Sequence, residues 1–133
     1  MRRQAGTILA VVLLSWVSSC ASLGPDNAAA ADAAVAFHQA LASSDGAAAC
    51  VLLAPETAAD VASTADSECA EAVLDEGVPV AAKVESSRAF GRSAQVVMDK
   101  DVLFLSIFDG QWRITAAGCQ SRGEQPYDCQ LGG

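Results

Sequence analysis

Few side chains in this 133-residue sequence combine in a way that could do chemistry, and the densest grouping is of sulfur. Cys50, Cys69, Cys119 and Cys129 lie in the body of the chain, an even set that reads as two disulfides in a small domain bound for an oxidising compartment. Four cysteines allow three pairings. Cys50 with Cys69 and Cys119 with Cys129 is favoured, because each pair then joins neighbouring elements. Loops of that size would each contribute about 3 kcal/mol in the chain-entropy account. Zinc, the rival use of four thiols, wants a C-x-x-C spacing that the sequence lacks.

Proton-transfer chemistry has less to work with. His38 is the single histidine, beside an apolar stripe, and reads either as a pocket acid/base or ligand contact or as a helix-flank residue. Asp99, Asp101 and Asp109 fall at turn signals, read as solvated, and make poor candidates for a base. Glu85 and Arg88, three apart in an extended run, should lie on opposite faces of a sheet. Phe104 and Trp112 could line a pocket with His38, although aromatics at strand spacing more often belong to a core. No G-x-S-x-G, phosphate-cradling glycine loop or paired histidine spacing occurs, so hydrolase, kinase and metalloenzyme readings have no residue support and no cofactor is expected.

The ends and the charge set the context for those residues. Arg2 and Arg3, an apolar run from Ile8 to Val17 and small residues before Cys20 have the three regions of a secretory signal. The run would cover roughly 15 Å as a helix, about half a hydrocarbon core, too little for a permanent span. Val17-Ser18-Ser19-Cys20 resembles the bacterial lipobox. That resemblance implies lipidation of Cys20, cleavage before it, and residence at the outer face of the cytoplasmic membrane. Residues 1–19 would then be the signal, residues 20–27 a lipidated tether of at most roughly 25 Å, and residues 28–133 one domain. Without its signal the chain keeps six basic residues against sixteen acidic ones, net −10. This balance argues against nucleic acid, and against charge alone as the means of holding an anionic bilayer.

The elements that must position these residues change type midway. Residues 28–42 are nearly all alanine, the best helix former, with Asp26 or Asn27 available as a cap and Ala30, Ala33, Ala34, Phe37 and Leu41 on one stripe. Shorter helices are expected over 47–53, over 55–62 with Pro55 in the first turn, and from a cap at Asp66 or Ser67 to Glu76, with Gly77 as the stop. After Pro79, extended runs over 80–90, 93–99, 102–109 and 111–118 are separated by turn signals. Asp109-Gly110 suits a two-residue type I′ hairpin. In the third run Val102, Phe104 and Phe108 alternate with Leu103, Leu105 and Ile107, so the strand is either covered on both faces or offers one to a partner. Helices followed by a meander define an α+β domain, with the N-terminal helices packed on a curved antiparallel sheet.

On Phe37-His38-Gln39-Ala40-Leu41, Ser44-Asp45-Gly46, the run Cys50 to Thr57 and the closing run Asp109 to Cys119, the chain resembles the NTF2-like, cystatin-like cone superfamily. It is similar in particular to a group of actinobacterial lipoproteins without an assigned activity that end in Pro-Tyr-Asp-Cys, here Pro126 to Cys129. The resemblance covers residues 28 to 129 and implies a cone fold; the missing acid/base set and the doubly apolar third strand then point to binding, of a small apolar ligand in the cone or of a protein partner or second copy on the sheet. It also raises an alternative, a ketosteroid-isomerase-like or polyketide-cyclase-like enzyme, which needs a buried carboxylate and a donor inside an apolar pocket. Tyr127, the only tyrosine, lies in the tail and not on the first helix, where the isomerase-like pattern would place it.

Overall fold

The computed structural model describes residues 25–133; the signal expected over residues 1–19 and Cys20 lie outside the described residues. Four helices precede five strands: α1 (Pro25–Ala42), α2 (Gly46–Val51), α3 (Pro55–Ala65), α4 (Cys69–Asp75), β1 (Val84–Phe90), β2 (Ser93–Met98), β3 (Val102–Phe108), β4 (Gln111–Arg122) and β5 (Gln125–Gly132). The strands form one antiparallel sheet in sequence order, so the domain is an α+β meander with its helices ahead of the sheet.

Alanine in α1 is a packing device as much as a propensity. Ala30, Ala34, Phe37 and Ala40 are buried on one stripe, and their small size brings the helix backbone close to the sheet. Phe37 is the large side chain of that stripe, and its burial contributes about 2–3 kcal/mol. It joins Leu103, Leu105, Ile114 and Leu131 in a single core between helices and sheet. The helix begins at Pro25, so Asp26 and Asn27 fall inside it and do not cap it. Asn27 serves the sheet instead: its Oδ1 accepts the Ala89 N–H at 2.6 Å and its carbonyl accepts the Ser87 hydroxyl at 2.7 Å. Both donors lie on β1, an edge strand with an otherwise unpaired side.

Asp45 caps α2 by accepting the Ala48 N–H at 3.0 Å. Asp66, expected to open the last helix, instead ends α3 in a left-handed conformation, and Glu68 takes the N-cap position of α4. Two disulfides staple the domain. Cys50–Cys69 ties α2 to α4, and Cys119–Cys129 joins residues directly opposite each other on β4 and β5.

The Asp109-Gly110 hairpin has positive φ at both residues, 50° and 75°, as a type I′ turn requires. Residues 80–83 are not part of β1. They are held by side chains, with Asp99 accepting the Ala82 and Lys83 N–H groups at 3.0 and 3.2 Å. Those two bonds, aided by nearby Lys100, hold the Asp99 carboxyl below its ordinary value near 3.8. The folded value lies below the unfolded one, so the stabilisation is complete above about pH 4 and fades as pH falls through the folded value. Urea midpoints measured between neutral pH and pH 3 should therefore fall less steeply for Asp99→Asn than for the native chain. Parallel curves would show that the carboxylate has no stabilising link to residues 82–83.

The fifth strand is the main departure from the sequence reading. Residues 119–129, a cysteine-bounded tail beyond the four expected strands, extend β4 to Arg122 and return as β5. Their composition is polar and they lack an apolar period; pairing with β4 and the disulfide make them a strand.

Candidate functional site

Two features of the described residues could carry function: a sealed polar pair and an open groove.

The pair is His38 and Asp101. Asp101 is 5% exposed, not the solvated turn residue its Lys100-Asp101 context suggests, and His38 is buried against it. His38 Nε2 lies 2.8 Å from Asp101 Oδ2. The Ala81 N–H donates to His38 Nδ1 at 3.1 Å, and the Cys119 N–H donates to Asp101 Oδ1 at 3.2 Å. These contacts determine the proton positions. Nδ1 must accept, so Nε2 carries the hydrogen and donates it to the carboxylate, whose second oxygen also accepts. The pair thus clips together α1, the segment before β1, the β2–β3 turn and β4. Every polar atom of both side chains is satisfied, leaving neither group a free position from which to exchange a proton with a ligand. The sequence signal that could have found the pair is a lone imidazole beside an apolar helix stripe, which once buried needs a hydrogen-bond partner.

The groove lies on the sheet face opposite the core. Strand alternation sends Leu103 and Leu105 into the core and Phe104 to the other side. A β-bulge helps to shape it. Phe104 pairs with Ala116 while Leu105 pairs with Ile114, leaving Thr115 as the extra residue. The Thr115 hydroxyl donates to the Phe104 carbonyl at 3.0 Å, and the Thr115 carbonyl accepts the Thr57 hydroxyl of α3 at 3.2 Å. Close approach at the bulge requires glycine at 132, where a Cβ would fall 1.9 Å from the Thr115 oxygen.

One wall is α3. The Ala54 N–H donates to the Ile114 carbonyl and the Ile114 N–H to the Leu52 carbonyl, both at 2.8 Å, continuing the sheet beyond the end of β5. Pro55 then starts α3, and its Glu56, Thr57, Asp60 and Thr64 look onto the groove. The other wall is Tyr127 on β5. Its ring meets Phe104 edge to face at 5.1 Å, and its hydroxyl accepts from Gln95 Nε2 at 3.3 Å. The groove has a volume of about 710 Å³, with Phe104 and Phe108 as its aromatic floor.

Of the three residues considered for a pocket, only Phe104 reaches this groove. His38 is in the sealed pair, and Trp112, 9% exposed, packs in the core. Tyr127, set aside in the sequence as a tail residue, joins the groove because that tail is a strand, and Glu56 and Asp60 join it because α3 packs beside that strand. β3 is central in the sheet, with its inner face covered by helices and its outer face half-covered at Phe104 and Phe108. The four body cysteines are consumed in disulfides, and no group of three His, Cys, Asp or Glu side chains able to hold a metal occurs among the described residues. No helix among them is long and apolar enough to cross a membrane.

Fold and site together define a small disulfide-stapled α+β domain with an open aromatic groove on the outer face of its meander. Compared with family models, curated proteins and solved structures, the chain has no significant match to any of the three.

Proposed function

We propose that the chain is an exported lipoprotein, anchored through Cys20 to the outer face of the cytoplasmic membrane, whose NTF2-like domain binds a small, mainly apolar ligand without transforming it. The observation that carries this reading is the groove between α3 and the sheet, where Phe104, Phe108 and Tyr127 offer aromatic surface. The exposed carboxylates of Glu56 and Asp60 stand on its rim, so the fitting ligand has an apolar body and a basic or hydrogen-bond-donating end. Helices ahead of a curved antiparallel sheet are compatible with a cone, which supports the NTF2-like assignment. The lipobox-like Val17-Ser18-Ser19-Cys20 supports the anchor. The isomerase- or cyclase-like alternative gains nothing from the one buried carboxylate among the described residues, because Asp101 does not line the groove.

A phenylalkylammonium probe followed by amide chemical shifts tests the reading. Saturable shifts should cluster at Phe104, Phe108 and Tyr127, and Phe104→Ala should weaken binding about five- to tenfold, the loss expected for one half-buried aromatic contact. The phenylalkyl carboxylate of the same length should bind more weakly, because it meets Glu56 and Asp60. Shifts that are unsaturable, or that scatter over the surface, would reject the groove as the binding site.

A further inference from the structure

The most exposed large apolar side chain among the described residues is Phe90, 69% exposed at the tip of the β1–β2 hairpin. Nothing in the core needs it there. Its neighbourhood is fixed by Asn27, which holds Ala89 and Ser87 through hydrogen bonds of 2.6 and 2.7 Å. The tip therefore sits beside the first turn of α1, at the end of the domain where the chain enters from Cys20. Only residues 21–24 separate Cys20 from Pro25, and a fully extended chain over that interval spans at most roughly 17 Å. An acyl anchor on Cys20 would keep this end of the domain within that distance of the lipid.

Charge favours the same end. The stretch from Pro55 to Gly77 on α3 and α4 carries seven carboxylates and no basic residue. At the tethered end, the exposed Arg88 of β1 and Arg92 of the β1–β2 turn balance the exposed Asp26 and Asp109. Arg92 is held at the tip by donating from Nη2 to the Ile107 carbonyl at 2.6 Å. In a chain of net charge −10 once the signal is removed, this is the end that an anionic bilayer repels least.

We propose that the Phe90-Gly91-Arg92 tip is a membrane contact: Phe90 enters the headgroup–acyl boundary, Arg92 stays among the phosphates, and the two fix the orientation of the tethered domain. This rests on the lipid-anchored reading above. A strand of seven residues is roughly 23 Å long, so the opposite end of the sheet, with the Gly123-Glu124 turn, stands beyond the ~5–10 Å that an interfacial side chain penetrates. The groove would then open sideways to the aqueous layer next to the bilayer, within reach of molecules that partition into it.

The test uses the full chain, expressed, processed and purified from membranes, then reconstituted in phosphatidylglycerol/phosphatidylcholine vesicles with or without acyl-chain bromination. Phe90→Trp should lose about half of its added fluorescence to the brominated lipid, as an interfacial indole does, and Glu124→Trp should lose none. Buried Trp112 supplies the same background to both. Lipidated protein showing no quenching at position 90, or equal quenching at 90 and 124, overturns the contact while leaving the anchor in place. Mass analysis of the mature N-terminus separates the two readings: if Cys20 carries no acyl chain and Cys20→Ser leaves membrane association unchanged, the anchor fails and the contact fails with it.

Discussion

His38→Ala should lower the free energy of unfolding by about 3 kcal/mol, the upper end for losing a hydrogen bond to a buried charged group. The reason is the Asp101 carboxylate, which would keep only the Cys119 N–H as a partner in a site without water access. Asp101→Ala should cost less, because it leaves two neutral N–H donors unsatisfied rather than a charge. Asp101→Asn is the more diagnostic change. Its amide can accept from one donor, but its NH₂ must face either His38 Nε2–H or Cys119 N–H, and flipping the imidazole tautomer would only move the donor–donor conflict to Ala81. A loss of about 2 kcal/mol is expected despite near-identical shape. Urea unfolding with the disulfides intact measures all three, and the double His38→Ala, Asp101→Ala change should cost less than the sum of the singles. Losses below about 1 kcal/mol for every single change would mean that water reaches the carboxylate.

Gly46→Ala should be nearly as damaging, for a steric reason. A Cβ at position 46 would fall 1.7 Å from the backbone oxygen of Ala70, so α2 and α4 could not keep their present separation. One turn further along α2, the Cys50–Cys69 bridge holds the same two helices together, and the usual relief of sliding apart is blocked. The cost should reach about 3 kcal/mol, the upper end for overpacking. Replacing Cys50 and Cys69 by alanine frees the helices at a cost of its own, roughly 3 kcal/mol. The triple variant should therefore be more stable than simple addition predicts, by about 1 kcal/mol or more. Strict additivity would show that the bridge does not set the spacing of α2 and α4.

Both predictions depend on residues that look ordinary in the sequence. Gly46 reads as part of a Ser43-Ser44-Asp45-Gly46 loop break, and Asp101 as half of a polar turn. The turn is real: the Met98 N–H donates to the Asp101 carbonyl at 2.7 Å, and Asp99 and Lys100 are exposed. What local chemistry leaves open is where the third turn residue points. That is decided by a histidine 63 positions earlier, whose helix must first pack on the sheet.

What the sequence by itself determined is the order of elements and the punctuation between them, because propensity, capping and turn chemistry act over a few residues. The alanine helix with its Phe37 stripe, the Asp109-Gly110 hairpin and the apolar alternation of β3 were all legible that way. The favoured cysteine pairing was legible too, since each bridge joins elements close in the chain. Tertiary structure decided the rest. It made a polar tail into β5 by pairing it with β4, set Tyr127 over Phe104 to wall a groove, withdrew Trp112 into the core and sealed His38 with Asp101. Each of these outcomes depends on which distant group removes water from a side chain, and that is a property of the packed chain rather than of any window along it.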